Sequence, residues 1–202
     1  MANKAHFPLL LLAGLSVIFG WSAWQPLDRF TWFLEVFPVM IGVVILLLTY
    51  RFFRLTNFAY TMIALHSIVL LVGGHYTYSE MPLFDWIQNH WHLERNYYDR
   101  VGHIAQGFFP AIIAREILLR CSPLTSGGWL NFLVISLCLA ISAFYELLEW
   151  WIAITSGSDA VAFLATQGDP WDTQWDMFLA LIGAVAALIL LTGLHNRALK
   201  QL

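Results

Sequence analysis

The sequence predicts an all-α polytopic membrane protein, a bundle of six transmembrane helices with a short interfacial helix between the third and fourth spans. Three observations predict it. Hydrophobic residues make up 59% of the 202 and charged residues 11%, about half the charged share of a soluble domain. Mean hydropathy is +0.68, and the apolar residues fall into six runs near the length of about 20 residues that crosses a bilayer. The charges, placed on that map, separate by sign.

Lys4 precedes the apolar run 7–24. It is read as a retained first span rather than a signal peptide: its end, "GWSAWQP", lacks a small-x-small cleavage site, and Trp21 and Trp24 suit an interfacial belt. The second span is 33–50, with Pro38 near its start and Arg51 and Arg54 after it. The third is 58–74. The segment that follows contains "MPLFDWIQNHWHLE", whose mixture of aromatic and charged residues predicts a helix lying in the interface. The fourth span is 99–120, the fifth 129–154 and the sixth 173–194, so that residues 1–202 form one membrane domain. Cys121 and Cys138 show no CxxC spacing, which points away from both a disulfide framework and a thiolate metal site.

Six spans place alternate loops on one side, and basic residues favour the cytoplasmic side. With the N-terminus in the cytoplasm, seven of the ten basic residues fall inside, leaving Arg29, Arg95 and Arg100 outside. Twelve of the thirteen acids fall outside, Glu116 being the exception. The expected topology therefore has both termini cytoplasmic, in a bacterial inner membrane.

That topology brings distant polar segments to one depth. "GGHYTY" with His75 ends the third span outward, "YDRVGHIAQ" begins the fourth, "FYELLEWW" ends the fifth and "DTQWD" begins the sixth. Residues four apart share a helix face. Asp99 and His103 therefore stack, with Gln106 and Pro110 continuing the stripe. Ser142, Tyr145, Glu146 and Glu149 share a face of the fifth span, and Asp172, Asp176 and Gly183 a face of the sixth. An ionisable residue within a span costs about 3 kcal/mol on insertion scales, so it faces a partner or a wet cavity. The expectation is an outward-opening polar pocket.

In the loop "TQGDPWDTQWD", Gly168 permits a sharp turn, Pro170 suits the approach to a helix, and Asp169 is read as solvated. Asp172 and Asp99 are read as helix caps. Capping leaves His103, Glu146, Glu149 and Asp176 unexplained. Carboxylates with a histidine can bind a divalent cation: an acid-rich set suits Mg²⁺ or Mn²⁺, while histidine admits Zn²⁺. The same acids can instead share protons, or pair with Arg95 and Arg100, two cations too few for all of them. The candidate ligands are Asp99, His103, Glu146, Glu149, Asp172 and Asp176, and the candidate acid-base groups are His103, Glu146 and Asp176.

His66, midway along the third span, is read as a helix-to-helix hydrogen-bond donor. His90 and His92 are read as interfacial residues, with a surface metal site as the alternative, and His6 and His195 as interface residues. The tryptophans of "EWW" and "DPWDTQW" are read as belt anchors. No GxGxxG, P-loop, HExxH or GxSxG pattern occurs, which argues against nucleotide use and against serine or zincin hydrolysis. No nucleic-acid partner is expected.

The combination "DRVGHIAQGFFPAIIARE", "FYELLEWW" and "QGDPWDTQWDMFLALIGA" resembles the YjdF-like bacterial inner-membrane proteins over nearly the whole chain. That resemblance implies six spans in a bacterial inner membrane and implies no reaction. The second half also resembles, more distantly, the VanZ-like membrane proteins, a family associated with teicoplanin resistance. Asp99, Arg100 and His103 match that family's Asp-basic-x-x-His helix start, Glu146 or Glu149 its acidic residue, and Asp176 with Gly183 its last motif. Ala180 stands where the motif has Asn. This likeness implies envelope lipid or glycopeptide chemistry on the outer side.

The expected function is a periplasm-facing acidic and histidine site that binds a divalent cation and handles an envelope lipid or polar headgroup. One alternative is a transporter of protons, cations or small solutes, against which the polar stripe fades inward beyond Gln106 and Ser142. The other is a non-catalytic assembly or sensing protein.

Overall fold

The computed structural model of the chain describes residues 3–156 and 161–202. Every regular element among the described residues is a helix: α1 (Asn3–Ala23), α2 (Arg29–Thr49), α3 (Asn57–Tyr76), α4 (Pro82–Trp91), α5 (Tyr98–Cys121), α6 (Gly128–Ser156), α7 (Val161–Leu164) and α8 (Asp172–Leu199). Five of them, α1, α2, α3, α6 and α8, are long and apolar enough to cross a membrane. The long helices fall on the six expected runs. The largest boundary difference is at the last, where α8 continues a further turn to Leu199. The short α4 buries none of its residues.

α5 has 24 residues, yet its charges keep its hydropathy low. The reason is its position, packed against α3, α6 and α8. Asp99, Arg100, His103, Arg115 and Glu116 are all buried. A helix that meets other helices on most sides need not be apolar all round; it needs partners for its polar groups.

Local signals set the starts of two helices. The Asp28 carboxylate accepts from the Thr31 amide at 2.6 Å before α2, and the Thr56 hydroxyl accepts from the Ala59 amide at 3.0 Å before α3. Each satisfies one of the unpaired first-turn amides. α1, α3 and α6 finish, and α2, α5 and α8 begin, at one end of the bundle, called here the Asp172 end. There the Leu27 amide donates to the His75 carbonyl at 3.1 Å, tying the α1–α2 turn to α3.

α5 and α8 cross with their backbones in contact. A Cβ on Gly107 would stand 1.8 Å from the Ala180 carbonyl oxygen, and one on Gly183 would stand 2.2 Å from that of Ile104. Small residues permit this approach. His103 and Asp99 lie one and two turns from Gly107 toward the Asp172 end of α5, and Asp176 lies one turn from Ala180 toward the same end of α8. The crossing thus aligns these polar residues on facing surfaces.

At the opposite end a second buried polar cluster corrects two expectations. His195, read as an interface residue, is fully buried. Its Nδ1 lies 2.8 Å from Arg115 Nη1 and its Nε2 lies 3.0 Å from Glu116 Oε2. Because a guanidinium only donates, Nδ1 accepts and Nε2–H donates to Glu116. Glu116 also accepts from the Thr56 amide at 2.8 Å, the Thr56 hydroxyl at 2.7 Å and Arg120 at 2.7 Å. The polar stripe that fades beyond Gln106 therefore has a counterpart at the other end of α5. His66, read as an interhelical donor, has a buried Nε2 without a hydrogen-bond partner and lies beside the Phe109 ring at 6.1 Å. Both misreadings have one cause: on a helix apolar on every face, periodicity does not say which face meets protein.

Replacing Thr56 by valine removes both the α3 cap and a hydrogen bond to Glu116. The expected cost is about 1 to 2 kcal/mol, read as a lower thermal midpoint of the detergent-solubilised protein.

Candidate functional site

The candidate site lies at the Asp172 end, on the first turns of α5 and α8 and the facing turns of α6 and α2. Asp99 and His103 come from α5, Asp172 and Asp176 from α8, Glu146 and Glu149 from α6. Five of these six are buried, with Asp176 only 2% exposed and His103 8% exposed, and Glu149 is half-buried. The expected open pocket is instead a closed cluster.

The loop carrying Asp169 forms part of the closure. Gly168 adopts φ +86°, the left-handed turn its missing side chain permits. Next to it, the Gln167 amide side chain accepts from the Asn96 amide and donates to the Asn96 carbonyl, both at 2.9 Å. This reciprocal pair lashes the loop before α8 to the loop before α5.

Two arginines organise the aspartates. Arg95 pairs with Asp172 at 2.6 Å, with Asp99 at 3.4 Å and with Asp169 at 3.6 Å. Arg100 pairs with Asp172 at 2.7 Å, with Asp169 at 2.9 Å and closely with Asp176. These pairs correct three local readings. Asp169 is an ion-pair partner rather than a solvated loop residue. Neither Asp99 nor Asp172 caps its helix, since α5 and α8 begin without a side-chain cap bond. Both carboxylates are drawn instead to buried guanidinium groups, which donate charge-assisted hydrogen bonds stronger than those of a backbone amide.

His103 lies between two groups of acids. Its Nε2 faces Asp99 Oδ1 at 3.4 Å and Asp176 Oδ1 at 3.6 Å. Its Nδ1 faces Gln106 Oε1 at 3.2 Å, with Glu146 Oε1 4.0 Å away on the same edge. Asp99, His103 and Asp176 each offer a ligand atom, all within 4.8 Å of one another. Two donors on one cation stand at most twice a bond length apart, roughly 4 to 5 Å, so the spacing fits a single ion. Gln106 fits as well: a metal-binding histidine normally donates its second ring N–H to an acceptor that fixes the ring. Asp172 is held by both arginines, Glu146 lies at the other edge of the ring, and Glu149 follows about one turn later on α6.

Glu35, absent from the sequence-derived set, is a further buried acid at this end of the bundle. It is 6% exposed on α2 and accepts from the Tyr145 hydroxyl at 3.4 Å. A signal was present, because Glu35 lies within the second expected span and the cost of a buried carboxylate applies to it as to the rest. Glu146 Oε1 is buried with no hydrogen-bond partner. Tyr78, in the turn after α3, packs beneath this region, and its phenol is pushed well above its ordinary range by burial and, secondarily, by Glu35. His75 stays apart: its Nδ1 lies 3.0 Å from the Ser22 carbonyl and its ring packs on Trp21.

Comparison with known proteins agrees with this architecture. Residues 7–197 match the family model described as "Predicted membrane protein (DUF2238)". The chain is 47% identical over 187 residues to the inner membrane protein YjdF of Escherichia coli (strain K12), covering 93% of this chain and 90% of that protein. No solved structure matches. With its several apolar helices, the chain is a multi-pass protein of the inner membrane. It belongs to the DUF2238 family of membrane proteins.

Proposed function

We propose that the cluster is a periplasm-facing site that binds one divalent cation through Asp99, His103 and Asp176 and uses it to hold or act on the polar headgroup of an envelope lipid. In this reading the chain is one membrane domain of six spans, α5 being the fourth. α4 lies in the outer interface and both termini are cytoplasmic, as the charge asymmetry favours. The observation that carries the cation is the His103 ring: Nε2 is directed at two carboxylates while Gln106 stands at Nδ1 to hold the other proton. Two carboxylates with one imidazole suit Mn²⁺ or Zn²⁺ better than Mg²⁺. A bound cation supplies Lewis-acid polarisation of a phosphoryl or carbonyl oxygen. The residues orient it and keep water out.

Metal analysis of the purified protein, followed by calorimetric titration with Zn²⁺ and Mn²⁺, tests this. The expected result is one ion per chain, affinity lost in Asp176→Asn, and affinity reduced about 10- to 100-fold in Gln106→Leu. No bound cation, and none taken up on titration, ends the proposal.

A second reading is a structural lock, favoured by the ion pairs of Arg95 and Arg100 with four aspartates. Under that reading Asp176→Asn lowers the thermal midpoint and changes no binding.

A further inference from the structure

The acids of the Asp172 end divide into two sets. Every ion pair of Arg95 and Arg100 goes to an aspartate. The three glutamates, Glu35, Glu146 and Glu149, have no ion pair with an arginine or lysine among the described residues, and Glu146 stands 4.0 Å from His103 Nδ1. Glu146 and Glu149 stand about one turn apart on α6, and Tyr145 of the same helix donates to Glu35. Glu146, 7% exposed, directs an Oε1 into this space with no hydrogen-bond partner. A buried carboxylate oxygen without a partner forfeits its hydration, so this set is incomplete without a positive donor.

α2 and α6 are bridged rather than packed together. α2 packs on α3 and α7, while α6 packs on α5, α7 and α8; α2 and α6 make no extended contact with each other. They meet through the Tyr145 hydroxyl on Glu35. Phe163 of α7 is buried beside Tyr145, with ring centroids 6.4 Å apart. α7 packs on both α2 and α6, and Tyr145 and Glu149 of α6 are half-buried. Phe37 and Phe144, close in sequence to Glu35 and Tyr145, are exposed, which in a bilayer means facing lipid.

We infer that the α2–α6 gap is a lateral entrance for a lipid whose headgroup carries a protonated amine, and that Glu35, Glu146 and Glu149 with Tyr145 receive that ammonium. This rests on the headgroup reading above and names the headgroup. An ammonium offers three donors and one positive charge to three carboxylates that have no arginine or lysine of their own. Its alkyl chains remain in the bilayer, so the charged group reaches the site without crossing water. The Asp99, His103 and Asp176 edge then faces the phosphate side of the same headgroup.

The test uses the full-length protein in nanodiscs, with co-purified lipid measured by native mass spectrometry against phosphatidylethanolamine, phosphatidylglycerol and free ethanolamine. The expected result is retention of phosphatidylethanolamine over phosphatidylglycerol by about tenfold or more, from charge-assisted hydrogen bonds. Glu149→Gln and Tyr145→Phe are expected to abolish that preference while Zn²⁺ affinity stays within about twofold. Thermal midpoints identify any variant that fails to fold, and the second variant then stands in for the first. Equal retention of the two lipids, or a preference unchanged in both variants, overturns the inference. Retention of free ethanolamine without any lipid preference overturns the lipid assignment. Loss of Zn²⁺ binding with the amine preference intact counts against the cation reading alone.

Discussion

Gly107→Ala is expected to destabilise the protein by about 3 kcal/mol, at the upper end of overpacking costs. The added Cβ would meet the Ala180 carbonyl oxygen at 1.8 Å. What it meets is backbone, so no rotamer change relieves the clash and α8 must move away from α5. Moving α8 takes Asp176 with it, one turn outward on the same face. The substitution therefore lowers the thermal midpoint and weakens Zn²⁺ or Mn²⁺ binding together. Gly193→Ala, on α8 with no atom within 4 Å of the added Cβ, is the matched control and is expected to change neither. A wild-type midpoint for Gly107→Ala would mean that the close α5–α8 crossing is wrong.

Asp172→Ala is expected to cost about 3 to 5 kcal/mol, the range for removing one partner of a buried ion pair. Asp172 is 5% exposed and its Oδ1 receives both Arg95 at 2.6 Å and Arg100 at 2.7 Å. Removing it leaves two guanidinium groups to share Asp99, Asp169 and Asp176. Arg95→Ala in the same background should recover part of the loss, because one unpaired cation goes with it. A double-mutant cycle measures that coupling. Additive single effects would show that the Arg95–Asp172 pair is not a stabilising contact. Losing Asp172 also throws Arg95 and Arg100 more fully onto Asp99 and Asp176, so a variant that still folds should bind Zn²⁺ or Mn²⁺ more weakly.

The six long helices were legible because an apolar run of bilayer length has few other uses, and charge sign along the chain orders them. Asp99, His103 and Asp176 were legible as a group because helical spacing aligns Asp99 with His103 and the alternation of spans brings Asp176 to their depth. Glu35 satisfies the same criterion, but no ionisable residue stands one turn away from it on α2, so helical spacing does not group it with the others. His195 was misread for a different reason: nothing in the apolar α8 distinguishes a histidine facing lipid from one facing Arg115 and Glu116.

The sequence by itself determined the class of the protein, the number and order of its long helices, and the end of the bundle where its carboxylates gather. These follow from segment length, hydropathy and charge, which are properties of residues in order. Only the tertiary structure decided which acids are claimed by Arg95 and Arg100, which flank His103, and which have no arginine or lysine partner among the described residues. Those outcomes depend on helix rotation and on the backbone contact at Gly107 and Gly183, and a rotation of a few tens of degrees exchanges a buried partner for lipid without altering hydropathy at all.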